Sequence, residues 1–263
     1  MNKGIAAGTA ALACLCVPAP LWAQASHTVT ATGETQEFSD NGGSLRTATL
    51  EYKFVDADTT VVFTPAYGER RAPGVRESAA GLGAMIYHDW SSRISTRTSA
   101  FVAQDAPVFA NYDFAQDVTL RVGDSTTVTL GGRYARFFGE QDVTFFSAGL
   151  RQYFRFGSMA YRLTRVDPEG RDSYLAHLVN LTVNDPRGGG KTQLWLSLGE
   201  ASISNAQVPN NFSGDDYGAV LRRVQPITDN FALVPLIGYT SYDRPTDRIS
   251  AVNLGLGLEF DLD

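Results

Sequence analysis

The chain has 263 residues, 43% of them hydrophobic, and its 28 acidic residues outweigh 22 basic ones to give a formal net charge of −6. That acidic balance lacks the basic footprint of a nucleic-acid binder, and a mean hydropathy of −0.14 accompanies the absence of any apolar run of about 18 residues, so spanning helices are excluded. A membrane β-barrel passes both tests, because only alternate residues of its strands face lipid.

The N-terminus has one positive charge, Lys3, an apolar run from Ile5 to Val17, Pro18 and Pro20, and then Ala23-Gln24-Ala25. A basic end, a short apolar core and small residues two apart make a secretory leader. Cleavage is expected after Ala25, with Ala23 as the alternative, which leaves residues 26–263 as one barrel domain. Cys14 and Cys16 both fall inside the leader, and Ala11-Leu12-Ala13-Cys14 is a poor lipoprotein box. The mature domain is therefore expected to have no thiol, disulfide or cysteine metal site.

Fourteen candidate strands follow, separated by Gly, Asp, Asn and Pro turn signals. In order they are Thr28–Gln36, Ser44–Phe54, Thr59–Glu69, Arg76–His88, Arg93–Gln104, Asp113–Val122, Ser125–Phe138, Asp142–Phe154, Ser158–Val166, Asp172–Val183, Lys191–Glu200, Asp216–Val224, Asn230–Tyr242 and Ile249–Phe260. Their lengths suit tilted membrane strands of about 9–11 residues better than soluble strands of about 5–6. Twelve strands is the alternative count. The links Val55–Asp58, Asp89–Ser92, Gly123-Asp124, Arg155–Gly157, Asn184–Gly190 and Gln225–Asp229 are mostly tight, whereas Ala106–Tyr112, Ala201–Asp215 and Asp243–Arg248 are among those on the other rim. Short turns on one rim and longer loops on the other are the asymmetry of an outer-membrane barrel, with turns in the periplasm.

The side-chain pattern has period two. Ala48, Leu50, Tyr52 and Phe54 alternate with Thr47, Thr49, Glu51 and Lys53; Leu194, Leu196 and Leu198 alternate with Gln193, Trp195 and Ser197. One face is apolar throughout, and the other mixes small and charged residues. Aromatic girdles are expected at Phe54, Tyr87, Trp90, Phe154, Phe156 and Phe231 on the turn side. Those on the loop side are expected at Tyr67, Phe137, Phe138, Tyr239 and Tyr242. Pro65 and Pro235 interrupt two strands, and a local bulge is expected at each.

The last strand, Val252 to Phe260, resembles the closing strand of bacterial outer-membrane barrels. Their assembly signal falls here on Asn253, Gly255, Leu258 and Phe260, followed by an additional Asp-Leu-Asp tail. That resemblance implies recognition by the barrel-assembly machinery.

If the apolar set meets outer-membrane lipids, the opposite set places Arg97, Arg121, Arg133, Arg151 and Arg162 in the lumen, with Glu51, Asp117 and Glu259 among the acids. The functional reading is a cationic stripe that guides an acidic solute or polymer; the structural reading is a lattice of charge pairs. Arg222 and Arg223 must point opposite ways, one of them to the periplasmic interface. His27, His88 and His177 show no local partner for nucleophilic catalysis; Ser173 lies four residues before His177, about 13 Å along a strand. Neither catalysis nor a cofactor is expected. The loop acids Glu140, Asp142, Asp167, Glu169, Asp215, Asp216, Asp243 and Asp247 allow a calcium site, and ordinary solvated charge is the plainer reading.

The stretches Ser147-Ala148-Gly149-Leu150-Arg151-Gln152-Tyr153-Phe154, Ala160-Tyr161-Arg162-Leu163 and Leu196-Ser197-Leu198-Gly199-Glu200 resemble the YaiO family of outer-membrane β-barrels. The resemblance implies a barrel in the outer membrane with no settled activity, for which surface polysaccharide handling is one candidate association, and it transfers no catalytic residue. The sequence thus supports an all-β, closed antiparallel transmembrane barrel: either a pore or export channel for a polysaccharide or small solute, or a non-conducting structural or surface-binding barrel. A lipid-modifying enzyme is the remote third reading.

Overall fold

The computed structural model describes residues 25–40, 42–186, 189–199, 216–243 and 248–262. All but the last residue of the expected leader, and the whole Ala201–Asp215 link, lie outside these residues. Fourteen strands run in sequence order around a closed antiparallel barrel: β1 (Ser26–Phe38), β2 (Gly43–Asp56), β3 (Thr59–Ala72), β4 (Val75–Asp89), β5 (Ile94–Ala103), β6 (Tyr112–Arg121), β7 (Thr126–Phe137), β8 (Gln141–Phe154), β9 (Gly157–Pro168), β10 (Tyr174–Asn184), β11 (Lys191–Leu198), β12 (Tyr217–Thr228), β13 (Phe231–Asp243) and β14 (Arg248–Asp261). The seam pairs β1 with β14 from Thr28↔Asp261 to Phe38↔Ala251. Closure removes every sheet edge, the condition for a β-structure in hydrocarbon, where no water can satisfy an exposed N–H or C=O.

The expected strands all form, with small changes at their ends. The Asp-Leu-Asp tail extends the last strand: Thr28 Oγ1 donates to Asp261 Oδ1 at 2.8 Å, and Leu262 N donates to His27 O at 2.9 Å. β12 runs on to Thr228, so the expected Gln225–Asp229 link shrinks to Asp229-Asn230. Its continuation past Pro226 is accommodated by a register shift between Pro226 and Thr228.

Pro65 and Pro235 produce no bulge, which corrects the expectation. On one side of each proline the ladder skips residues between Thr49↔Ala66 and Tyr52↔Phe63, or between Arg222↔Leu236 and Gln225↔Leu233, with the register unchanged. On the other side Pro65 stays opposite Leu82 and Pro235 opposite Leu256. The missing N–H thus interrupts one ladder locally and leaves the strand in place.

Buried residues identify the inner face. Leu45, Ala79, Phe101, Ala135, Val166 and Ile249 are all buried, and each has an exposed neighbour along its strand. Leu50, Leu82, Leu130, Leu150, Leu196 and Leu254 occupy the opposite face and remain between 43% and 58% exposed in the isolated chain. In a bilayer lipid covers that band, and each such side chain contributes about 1.5–3 kcal/mol on leaving water. The girdles need correction at three positions. Phe137 and Tyr242 are buried inside the barrel, and Tyr87 shares the parity of inward Met85, because the strand period assigns them to the lumen face. Tyr67, Phe138 and Tyr239 keep their outward places.

Of the four residues expected to form the assembly signal, Asn253 and Gly255 point inward while Leu258 and Phe260 point outward. Phe260 packs on Phe231 with ring centroids 4.9 Å apart. Phe260→Ala removes an aromatic pair and its lipid-covered surface, so it is expected to destabilise the barrel by about 2–4 kcal/mol. Urea unfolding in lipid vesicles reads this as a lowered midpoint.

Candidate functional site

The inner face changes character along the barrel axis. At the loop end it is largely apolar, although buried Arg70 lies over the Phe38 ring at 5.1 Å. Phe38, Leu45, Ala79, Phe101, Tyr242, Ile249 and Ala251 form one cluster, and Ala135, Phe137, Val143, Phe145, Val166 and Ala176 form a second. The β5–β6 connection bridges them. Residues 104–111 turn into the lumen, where Val108 and Phe109 are 1% and 4% exposed and join the first cluster, while Ala110 joins the second. Phe109 meets Phe101 edge-on at 5.7 Å.

The connection is anchored at both ends. Ala103 N donates to Asn111 O at 3.0 Å, Gln104 N to Ala80 O at 3.0 Å and Asn111 N to Arg136 O at 2.7 Å. Asn111 Nδ2 also donates to Asp105 Oδ1 at 2.7 Å. Gly68 of β3 provides the space: a Cβ there would lie 2.9 Å from Phe109 Cζ and closer still to Val108 Cγ1. The sequence marked Ala106–Tyr112 as one of the longer links without giving it a direction.

Beyond this collar the wall is polar and charged. Arg97, Arg121, Arg133, Arg151 and Arg162 lie on five consecutive strands, β5 to β9, and all five share the inward parity. Inward Glu259, Glu34 and Glu51 lie on β14, β1 and β2, roughly across the barrel. Inward Lys53 and Lys191 lie near Glu259 on that side, so cations are interspersed with the acids there.

The five arginines differ in their partners. Arg133 makes a fork to Asp113, with Nε 3.0 Å from both carboxylate oxygens and Nη2 2.6 Å from Oδ2, and its guanidinium lies 4.8 Å above the Phe145 ring. Arg97 and Arg162 share one carboxylate oxygen, Asp117 Oδ2, at 2.6 and 3.1 Å. Arg151 donates to Ser158 Oγ at 3.0 Å and has no carboxylate beside it among the described residues. Arg121 ends β6 and is exposed at the turn-side rim. Three of the five are thus paired with carboxylates, and Arg151 is held by a hydroxyl alone among the described residues. Asp113, Glu34 and Trp195 were not singled out from sequence, although strand parity alone assigns them to this face.

Arg222 and Arg223 do point opposite ways. Arg222 donates inward to Gln193 Oε1 at 3.0 Å, and Arg223 donates outward to Asp185 Oδ2 at 2.5 Å. Asp185 lies in the turn after β10, and this hydrogen bond holds its carboxyl below the usual carboxylate range, so the clip persists until pH falls beneath that range.

All three histidines lie on the outer wall. His27 Nδ1 is 2.7 Å from Tyr52 Oη, His88 Nδ1 is 3.0 Å from Thr59 Oγ1, and His177 Nδ1 is 2.8 Å from Tyr161 Oη. Several loop acids are paired with arginines: Asp142 with Arg136 at 2.6 Å, Asp167 with Arg165 at 3.5 Å and Asp243 with Arg248 at 3.3 Å. Among the described residues no three acidic or histidine side chains gather as a metal cage.

A closed barrel with an apolar outer band and a polar, charged lumen defines an integral outer-membrane β-barrel, and the outer membrane is where the chain resides. Residues 26–202, more than half of the chain, match the YaiO membrane beta barrel domain, and the chain belongs to the YaiO family. Among solved structures it is similar to the CymD monoaromatic hydrocarbon channel, with TM-score 0.57 and 9% identity over 90% of this chain and 87% of that one. Omp33 of Acinetobacter baumannii aligns with TM-score 0.52 and 12% identity over 89% and 98% of the two chains. A bacterial polysaccharide outer membrane secretin aligns with TM-score 0.51 and 8% identity over 91% and 98%. Identities this low show a shared fold alone.

Proposed function

We propose that the barrel is an outer-membrane channel that favours acidic solutes and is throttled at its loop end by the apolar collar. The observation that carries this reading is the arc of inward arginines on five consecutive strands facing inward carboxylates. These side chains reach open space: those of Arg97, Arg133 and Arg162 are 32%, 25% and 33% exposed although they point inward, and Glu51 is exposed as well. A polymer with carboxylated units, such as an acidic surface polysaccharide, suits this lining by charge. In the same reading the closing strand presents Asn253, Gly255, Leu258 and Phe260 to the barrel-assembly machinery.

The test is conductance of the refolded barrel in a planar bilayer beside an Arg133→Ala/Arg151→Ala variant. Wild-type steps are expected to favour anions, and the variant is expected to lose that preference. Unchanged selectivity would remove the arginines from the conduction path. The non-conducting reading has its own support in the buried Val108 and Phe109. It is upheld if a correctly folded barrel stays silent both in the wild type and after the collar is opened by Val108→Ser/Phe109→Ser.

A further inference from the structure

On the inner wall between β5 and β11 is a cavity of about 260 Å³, lined by Arg97, Arg151, Arg162, Asn180, Trp195 and Thr129 among others. Its charges do not balance. Three guanidinium groups face it, and among the described residues the only carboxylate bonded to any of them is Asp117, which Arg97 and Arg162 already share through one oxygen. Among the described residues the buried Nε of Arg97 has no hydrogen-bond partner, and Arg151 is satisfied only by the Ser158 hydroxyl. An oxyanion entering here would supply acceptors to donors that the protein itself leaves open, and a planar carboxylate matches the guanidinium fork in two contacts.

The other wall of the cavity is not charged. Trp195, inward on β11, brings an indole, a flat apolar face with one N–H donor. Asn180 next to it is already engaged, its Oδ1 accepting from Thr182 Oγ1 at 3.3 Å and its Nδ2 donating to Leu194 O at 3.5 Å. A ligand that uses both walls needs a carboxylate at one end and a ring with an apolar face at the other, and the volume is below the drug-sized range of about 300–1,000 Å³. A single sugar acid has that size and that chemistry.

We propose that this cavity is a binding subsite for a hexuronate unit, with its carboxylate held by Arg151, Arg97 and Arg162 and its pyranose ring lying against Trp195. The subsite rests on the channel reading, since it lies in the lumen that solute would cross, but binding is measurable whether or not the barrel conducts.

The experiment is calorimetric titration of the full-length barrel in detergent with methyl β-D-glucuronide, its neutral counterpart methyl β-D-glucoside, and acetate. Saturable binding of the glucuronide is expected, with glucoside and acetate each weaker by about tenfold or more. Arg151→Gln is expected to weaken the glucuronide by about tenfold. Trp195→Leu should weaken the glucuronide and leave acetate unchanged. Acetate binding as tightly as the glucuronide, or affinity unaffected by Arg151→Gln, would overturn the proposal. A barrel that binds the glucuronide but never conducts sustains the subsite while removing the channel reading. One that conducts anions without binding the glucuronide overturns the subsite alone.

Discussion

Replacing Val108 and Phe109 together by serine is expected to raise the single-channel conductance of the barrel by roughly twofold or more, because an apolar constriction resists wetting and a polar one does not. The two side chains are almost fully buried among Phe101, Leu45 and Ile249, so the substitution removes the contacts that hold residues 104–111 inward. The anchoring hydrogen bonds at Ala103, Gln104 and Asn111 are made by the backbone and survive it. Gly68→Val should act in the same direction from the opposite wall, since its added atoms would occupy the space of Val108 and Phe109. Its backbone needs no glycine-specific conformation, so the effect can be ascribed to the collision. If both variants fold and conduct as the wild type does, the β5–β6 connection is not the constriction.

The second large effect is expected at Asp117. Its side chain is 8% exposed and accepts from both Arg97 and Arg162. Asp117→Ala leaves two guanidinium groups side by side without a counter-charge. Removing one partner of a buried ion pair costs about 3–5 kcal/mol, and since both arginines are about a third exposed, solvent screening brings the expected loss to about 1–3 kcal/mol. The same variant adds a unit of positive charge to the lumen, so its anion preference should rise while its urea midpoint falls. Gly131→Ala gives an independent check. A Cβ at residue 131 would collide with the Asp117 carboxylate, which predicts the same loss of stability with the negative charge still present. A variant pair that shifts neither midpoint nor selectivity would remove Asp117 from its role as the keystone of this wall.

Strand parity was legible in the sequence because a period of two needs only local alternation, and it located all five arginines on the inner face. Their partners were not legible. Asp113 lies 20 residues from Arg133, and Asp117 lies 45 from Arg162, separations that only the barrel register brings together. Phe137 and Tyr242 were misplaced in the girdle because their position near a strand end was weighed above their parity. The collar escaped notice for a different reason. Pro107-Val108-Phe109-Ala110 is an apolar run inside a link, without a period to say which way it faces, and the space that accepts it belongs to Gly68 on another hairpin.

The seam joins residues more than two hundred positions apart, Thr28 with Asp261 at one end and Phe38 with Ala251 at the other. Every other pairing is between neighbours in the chain and can form as the strands emerge. Completion therefore hangs on the final fourteen-residue strand: until it docks, β1 and β13 each present an open ladder that hydrocarbon cannot tolerate. Insertion is in effect proofread by length, for a chain that loses its last strand has no stable partial product to leave in the membrane.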